Sequence, residues 1–85
     1  DVYKRQEENR EKILEILKNI RPEYDFAASI NFIEEGLLDS FDVVTLVSDL
    51  ENAYNIIIDG MDIVPENFID VQSIILTLKK NGGKV

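Results

Sequence analysis

The chain has 85 residues, 45% of them apolar, a formal net charge of −8, and neither cysteine nor histidine. That size and composition describe one small globular domain spanning 1–85, with 1–6 and 81–85 expected as flexible ends. Without thiol or imidazole it has no cysteine nucleophile, no histidine base and almost no means of holding zinc, so self-contained catalysis is not expected. No apolar run approaches the roughly 18 residues of a membrane span, and there is no disulfide framework, so a cytoplasmic monomer is expected.

Ile13, Leu14, Ile16, Leu17 and Ile20 recur at the spacing of one helix face and predict a first helix over about residues 3–20, with Glu8 and Lys12 paired on its solvent side. Arg21-Pro22 ends it, because the residue before a proline is pushed out of the helical region. The connection to about residue 39 is long and not polar. Tyr24, Phe26, Ile30, Phe32, Ile33, Leu37 and Leu38 are too many apolar groups for a free loop, so this segment is expected to lie on the core, with a short helical turn near 25–29.

A second helix is predicted over Ser40 to Tyr54. Val43, Leu46, Val47, Leu50 and Tyr54 form a stripe roughly 100° wide, the width of a core face. Asn55 stands where a left-handed terminal residue is wanted. Ile56, Ile57 and Ile58 have strand-like composition but no second strand to pair with, and read as an apolar loop. Pro65 suits the first position of a short helix over about 65–69, and Asp70 caps a last helix reaching about Lys80. Val71, Ile74, Ile75 and Leu78 form that helix's core side, and Gly82-Gly83 close it. The predicted architecture is an all-α bundle of four helices, three longer and one short, with a long first connection.

Charge is distributed unevenly along these elements. Residues 1–23 hold six basic and six acidic groups, residues 24–78 hold eleven acidic groups and no basic ones, and residues 79–85 add three lysines. An anionic middle repels nucleic acid and anionic lipid and steers basic protein partners towards itself. Asp59, Asp62, Glu66 and Asp70 raise the question of calcium, but their spacing lacks the alternating ligands and central glycine of a helix–loop–helix calcium site.

The stretch "EEGLLDSFDVVTLV" at 34–47 carries the most chemical information. Ser40 opens the second helix with Asp39 as its cap and Asp42 one turn on, both favourable near the positive end of the helix dipole. The same end, with its unsatisfied N–H groups, suits a bound or attached phosphate. Phe41, Val44, Thr45, Ser48 and Asn52 form a second stripe directed away from the core, headed by two apolar residues suited to docking. Whether Phe41 instead folds back on the preceding connection is open at this level.

With Gly36-Leu37-Leu38 before the Asp39-Ser40 pair, Glu51 near the helix end and "DIVPENFIDVQSI" beyond it, the chain resembles the acyl carrier protein family over about residues 10–80. Peptidyl and D-alanyl carriers belong to the same group. The resemblance implies a non-catalytic carrier bundle with a covalent 4′-phosphopantetheine arm on Ser40, whose thiol holds acyl or aminoacyl cargo as a thioester. It implies recognition by partner enzymes through Asp39, Asp42 and Glu51, with apolar contact from Phe41 and Val44, and Ile58 packing near the arm. The implied partners are a phosphopantetheinyl transferase, an acyl- or aminoacyl-adenylating ligase, and acyltransferase or synthase enzymes. Thr45 and Asn52 stand where fatty-acid carriers usually bear acids, so the wording "LLDSF" looks closer to free-standing carriers loaded by an adenylating ligase. The alternative is a helical adaptor that keeps the carrier fold without the arm.

Overall fold

The computed structural model describes residues 2–85, and the expectation of a flexible end at 1–6 lies outside the described residues as far as Asp1 is concerned. Three α-helices are present: α1, Val2–Ile20; α2, Ser40–Tyr54; and α3, Val71–Lys80. Three single 3-10 turns occupy the connections, at Phe26–Ala28, Gly60–Asp62 and Pro65–Phe68. No strand occurs among the described residues, and Ile56-Ile57-Ile58 is loop, as its lack of a pairing partner predicts.

The short fourth helix expected at 65–69 is a 3-10 turn and not an α-helix, so the bundle has three α-helices. Its reason is length. Between extended Val64 and extended Asp70 only a few residues can coil, and the Asn67 N–H reaches back three residues to the Val64 carbonyl at 3.0 Å instead of four. Phe68 from this turn is fully buried.

α1 and α2 run antiparallel. Arg21, just past the end of α1, bonds Asp42 in the first turn of α2, while Tyr54 at the far end of α2 donates its hydroxyl to Asn9 Oδ1 at 2.9 Å. Lys12 does not pair with Glu8: its ammonium donates to the Ala53 carbonyl at 3.1 Å and lies 4.3 Å from the centre of the Tyr54 ring. A cation above an aromatic face next to an unsatisfied terminal carbonyl gains from both, and a solvent-exposed carboxylate offers less. Burial raises the pKa of the Tyr54 hydroxyl.

The core is one cluster drawn from every segment: Ile13 and Leu17 from α1, Phe26, Phe32 and Leu38 from the first connection, Leu46 and Leu50 from α2, Ile58, Phe68, and Ile74 and Leu78 from α3. The first connection therefore lies on the core as its composition requires. Two of its residues do not: Tyr24 is at the surface, edge-on to Phe26, and Ile30 is 87% exposed. Both give way to Phe26 and Phe32, whose rings meet edge to face at 5.1 Å and fill the space available. Backbone bonds fix the segment. Phe32 N–H donates to the Ile69 carbonyl at 2.6 Å, and its own carbonyl accepts from Leu37 and Leu38. Glu35 accepts the N–H groups of Ile30 and Asn31 at 2.9 and 3.0 Å, which hold its carboxyl below the usual range. Gly36, at φ 77, supplies the left-handed turn into α2.

The C-terminal residues 81–85 make contacts with the rest of the domain. Gly83 N–H closes α3 on the Leu78 carbonyl at 2.7 Å, and Val85 packs against the core. Asn81 accepts the Asp59 N–H and donates to Asp62, which also pairs with Lys80 at 2.7 Å. This pairing lowers the Asp62 pKa and raises that of Lys80. Two more of the carboxylates considered for calcium are also in use: Asp59 caps the Met61 N–H, and Asp70 caps α3 through Ser73 N–H at 2.7 Å.

Phe68 joins the 3-10 turn to the core without any polar role. Phe68→Ala is expected to cost about 3–5 kcal/mol, the range for an aromatic removed from a packed interior. Urea denaturation followed by far-ultraviolet circular dichroism would measure it.

Candidate functional site

The first turn of α2 is built by a reciprocal cap. Asp39, extended at φ −103 and ψ −176, accepts the Asp42 N–H at 2.9 Å, and Asp42 returns the contact by accepting the Asp39 N–H at 3.0 Å. An acid serves at both positions because each carboxylate satisfies an orphan donor and meets the positive end of the helix. Ser40 is therefore the first helical residue, not the cap. It is exposed, its hydroxyl makes no hydrogen bond among the described residues, and neither its own N–H nor that of Phe41 has a partner there. The arrangement leaves a free hydroxyl beside unsatisfied donors at a helix N-terminus, which fits a covalently attached phosphodiester.

Arg21 closes the site from α1. Its Nε donates to Asp42 Oδ2 at 2.9 Å, its Nη2 donates to Asp39 Oδ2 at 3.3 Å, and its Nη1 faces Glu23 at 3.6 Å. Burial pushes the Asp42 pKa upwards, but the Asp39 N–H and the guanidinium outweigh it and hold the carboxyl below its usual value. Asp42, acting first through its hydrogen bond and then through its charge, raises the Arg21 pKa.

The expected recognition residues divide into two groups. Phe41 is 85% exposed and Val44 65%, so Phe41 does not fold back on the first connection, and Asp39 also reaches solvent. Thr45 joins them at the surface, its hydroxyl donating to the Phe41 carbonyl. Asp42 and Glu51 are committed internally instead. The Asp42 side chain is only 12% exposed, and Glu51 accepts the Ile58 N–H at 2.9 Å, strapping the following loop to α2. Ile58, which the resemblance places near the arm, lies in the core at 3% exposure. Its neighbour Ile57 is the exposed one, at 85%.

Nothing in the sequence around Arg21, beyond its place at the end of α1, points to its contacts with Asp39 and Asp42. The one signal lies in the wider chain: it is the only lysine or arginine between residues 19 and 78. Asn9 is silent for a plainer reason, since a lone polar residue on a helix gives no sign of a partner 45 residues away.

A family model for the phosphopantetheine attachment site matches residues 10–74, well over half of the chain. The chain therefore belongs to this family of acyl-carrier-like proteins. Its members carry covalently attached 4′-phosphopantetheine, and the chain is accordingly a phosphopantetheine-carrying carrier protein. A search of curated proteins and a search of solved structures gave no significant match.

The cap has a pH signature. With its folded-state pKa depressed, Asp42 contributes stability that is present above its unfolded value near pH ~3.9 and is lost as pH falls through the lower folded value. Asp42→Asn is expected to be less stable at pH 7 and to lose less on acidification below about pH 4. Denaturation midpoints measured between pH 7 and pH 2 would compare the two slopes; identical slopes would remove Asp42 from the acid response.

Proposed function

We propose that Ser40 is the attachment point of the arm, and that the protein holds acyl or aminoacyl cargo as a thioester and presents it to successive enzymes in the cytoplasm as a non-catalytic monomer. The observation that carries this reading is the exposed, unbonded Ser40 hydroxyl at the start of α2, inside the segment matched by the family model. The arm, when attached, supplies the thiol that a chain without cysteine lacks. The chain's own residues set the approach: Asp39 and Asp42 hold the helix end, and the free N–H groups of Ser40 and Phe41 face the place where phosphate charge appears.

Its partners are a phosphopantetheinyl transferase, an acyl- or aminoacyl-adenylating ligase, and an acyltransferase or synthase that takes the cargo on. Phe41 and Val44 form the apolar part of the docking surface, and Asp39 the charged part. Asp42 and Glu51 contribute to the negative field from partly covered positions, so their first effect on partners is to hold α2 and its following loop in place. Ile57 replaces Ile58 as the loop's contact residue. With no basic residue from 22 to 78, the field over this surface favours partners with basic rims.

Incubation of the purified chain with a phosphopantetheinyl transferase and coenzyme A, read by intact mass, tests the attachment point. The wild type is expected to gain one arm and Ser40→Ala none. A wild type that never gains mass would leave the arm-free adaptor, and a modified Ser40→Ala would move the site elsewhere. Phe41→Ala is expected to slow modification roughly tenfold, the effect of removing one exposed apolar anchor, without lowering the melting temperature. An unchanged rate would remove Phe41 from the docking surface.

A further inference from the structure

We infer that Arg21 is a positioning residue for arm attachment: its guanidinium offsets part of the negative charge of the carboxylates on either side of Ser40, which lowers the repulsion met by a phosphoryl group approaching the hydroxyl. The inference rests on Ser40 as the attachment point. Modification forms a bond between Ser40 Oγ and the phosphorus of the phosphopantetheinyl group. The phosphoanhydride bond of the donor, coenzyme A, breaks with its electron pair leaving on the nucleotide phosphate, and the hydroxyl proton passes to a base on the transferase. Every phosphorus species in this step is anionic.

Ser40 lies between Asp39 and Asp42, and the cap holds both carboxylates at the same helix end. Two full negative charges exceed the roughly half positive charge of a helix N-terminus, so the cap that orders the serine would by itself repel the donor. Arg21 eases this conflict. It bonds one oxygen of each carboxylate, at 2.9 and 3.3 Å, and so offsets one of their two negative charges, while Glu23 at 3.6 Å draws on the same guanidinium and the site keeps a net negative charge. Guanidinium presents five N–H donors, and only two of those of Arg21 are hydrogen-bonded, since Glu23 at 3.6 Å is beyond hydrogen-bond reach. The side chain is 35% exposed, so the charge also acts on what approaches from solvent. Among the described residues no other cation pairs with either carboxylate.

A charge role and a purely structural one predict different kinetics. Without Arg21 the surface becomes more negative, which helps a basic transferase bind but opposes the anionic transfer step. Arg21→Gln is therefore expected to lower kcat for modification roughly fivefold, the effect of one half-exposed counter-charge, with KM for the carrier unchanged or lower. The defect should shrink towards parity as ionic strength rises to about 1 M, where screening acts within about 3 Å. Arg21→Lys, which keeps the charge, should retain most of the wild-type kcat.

The measurement is steady-state modification of the purified apo chain by a phosphopantetheinyl transferase and coenzyme A, with carrier concentration and salt varied and intact mass as the readout. An Arg21→Gln kcat equal to wild type, a loss that persists undiminished at high salt, or an Arg21→Lys variant as slow as Arg21→Gln would each overturn the inference. Should Arg21→Gln lose its helical circular dichroism signal, Arg21→Lys decides alone: kcat near wild type supports the charge role, and a fivefold loss refutes it. Failure of the Ser40 assignment is distinguishable, since then the wild type stays at its unmodified mass or Ser40→Ala gains the arm.

Discussion

The rest of the structure depends on the junction where α1 ends and α2 begins to rise. A single guanidinium there ties the first helix to both members of the cap that opens the second. Each partner meets a need of its own: the cap satisfies orphan donors, the arginine compensates a nearly covered carboxylate, and the carboxylates replace water around the arginine. Removal of Arg21 would leave both carboxylates without their counter-charge. The exposed serine hydroxyl is held where it is by these neighbours and takes no part in their bonding.

A second consequence concerns how the acidic middle of the chain is used. Read as a surface, eleven acids without a base are a steering field for basic partners. In the folded chain many also act as structural ligands for backbone N–H groups: Asp39, Asp42 and Asp70 at helix starts, Glu35 in the first connection, Glu51 and Asp59 in the loop after α2. Carboxylates share this work with Asn31, Ser73 and Asn81, and the negative field is partly a by-product of ordering the loops.

Helix positions and core were legible because they rest on periodicity and on local capping rules. The stripe from Val43 to Leu50, the left-handed Asn55 and the Asp70 cap all follow from residues within one or two turns of each other. What could not be read was the partner of each polar group across the fold. Asp42 and Glu51 looked like surface acids because nothing nearby in sequence shows that Arg21 and the Ile58 N–H will take them up. Ile57 and Ile58 were indistinguishable by composition, and only the Glu51 strap decides which turns inward. The position of Ser40 was legible from the residues around it, while its freedom from hydrogen bonds depended on where those neighbours found their own partners.

The three backbone bonds of Phe32 bear on how such a carrier moves. Its N–H is fastened to Ile69 ahead of α3, its carbonyl to Leu37 and Leu38 ahead of α2, and its ring is locked against Phe26. The connection is long, yet Phe32 fastens it to the segments that open both the second and the third helix. A pull on the start of α2 is therefore passed through Phe32 to the segment ahead of α3. On the reading proposed for Ser40, the travel of the cargo from one active site to the next must come from rotation about the bonds of the arm and from tumbling of the carrier as a unit.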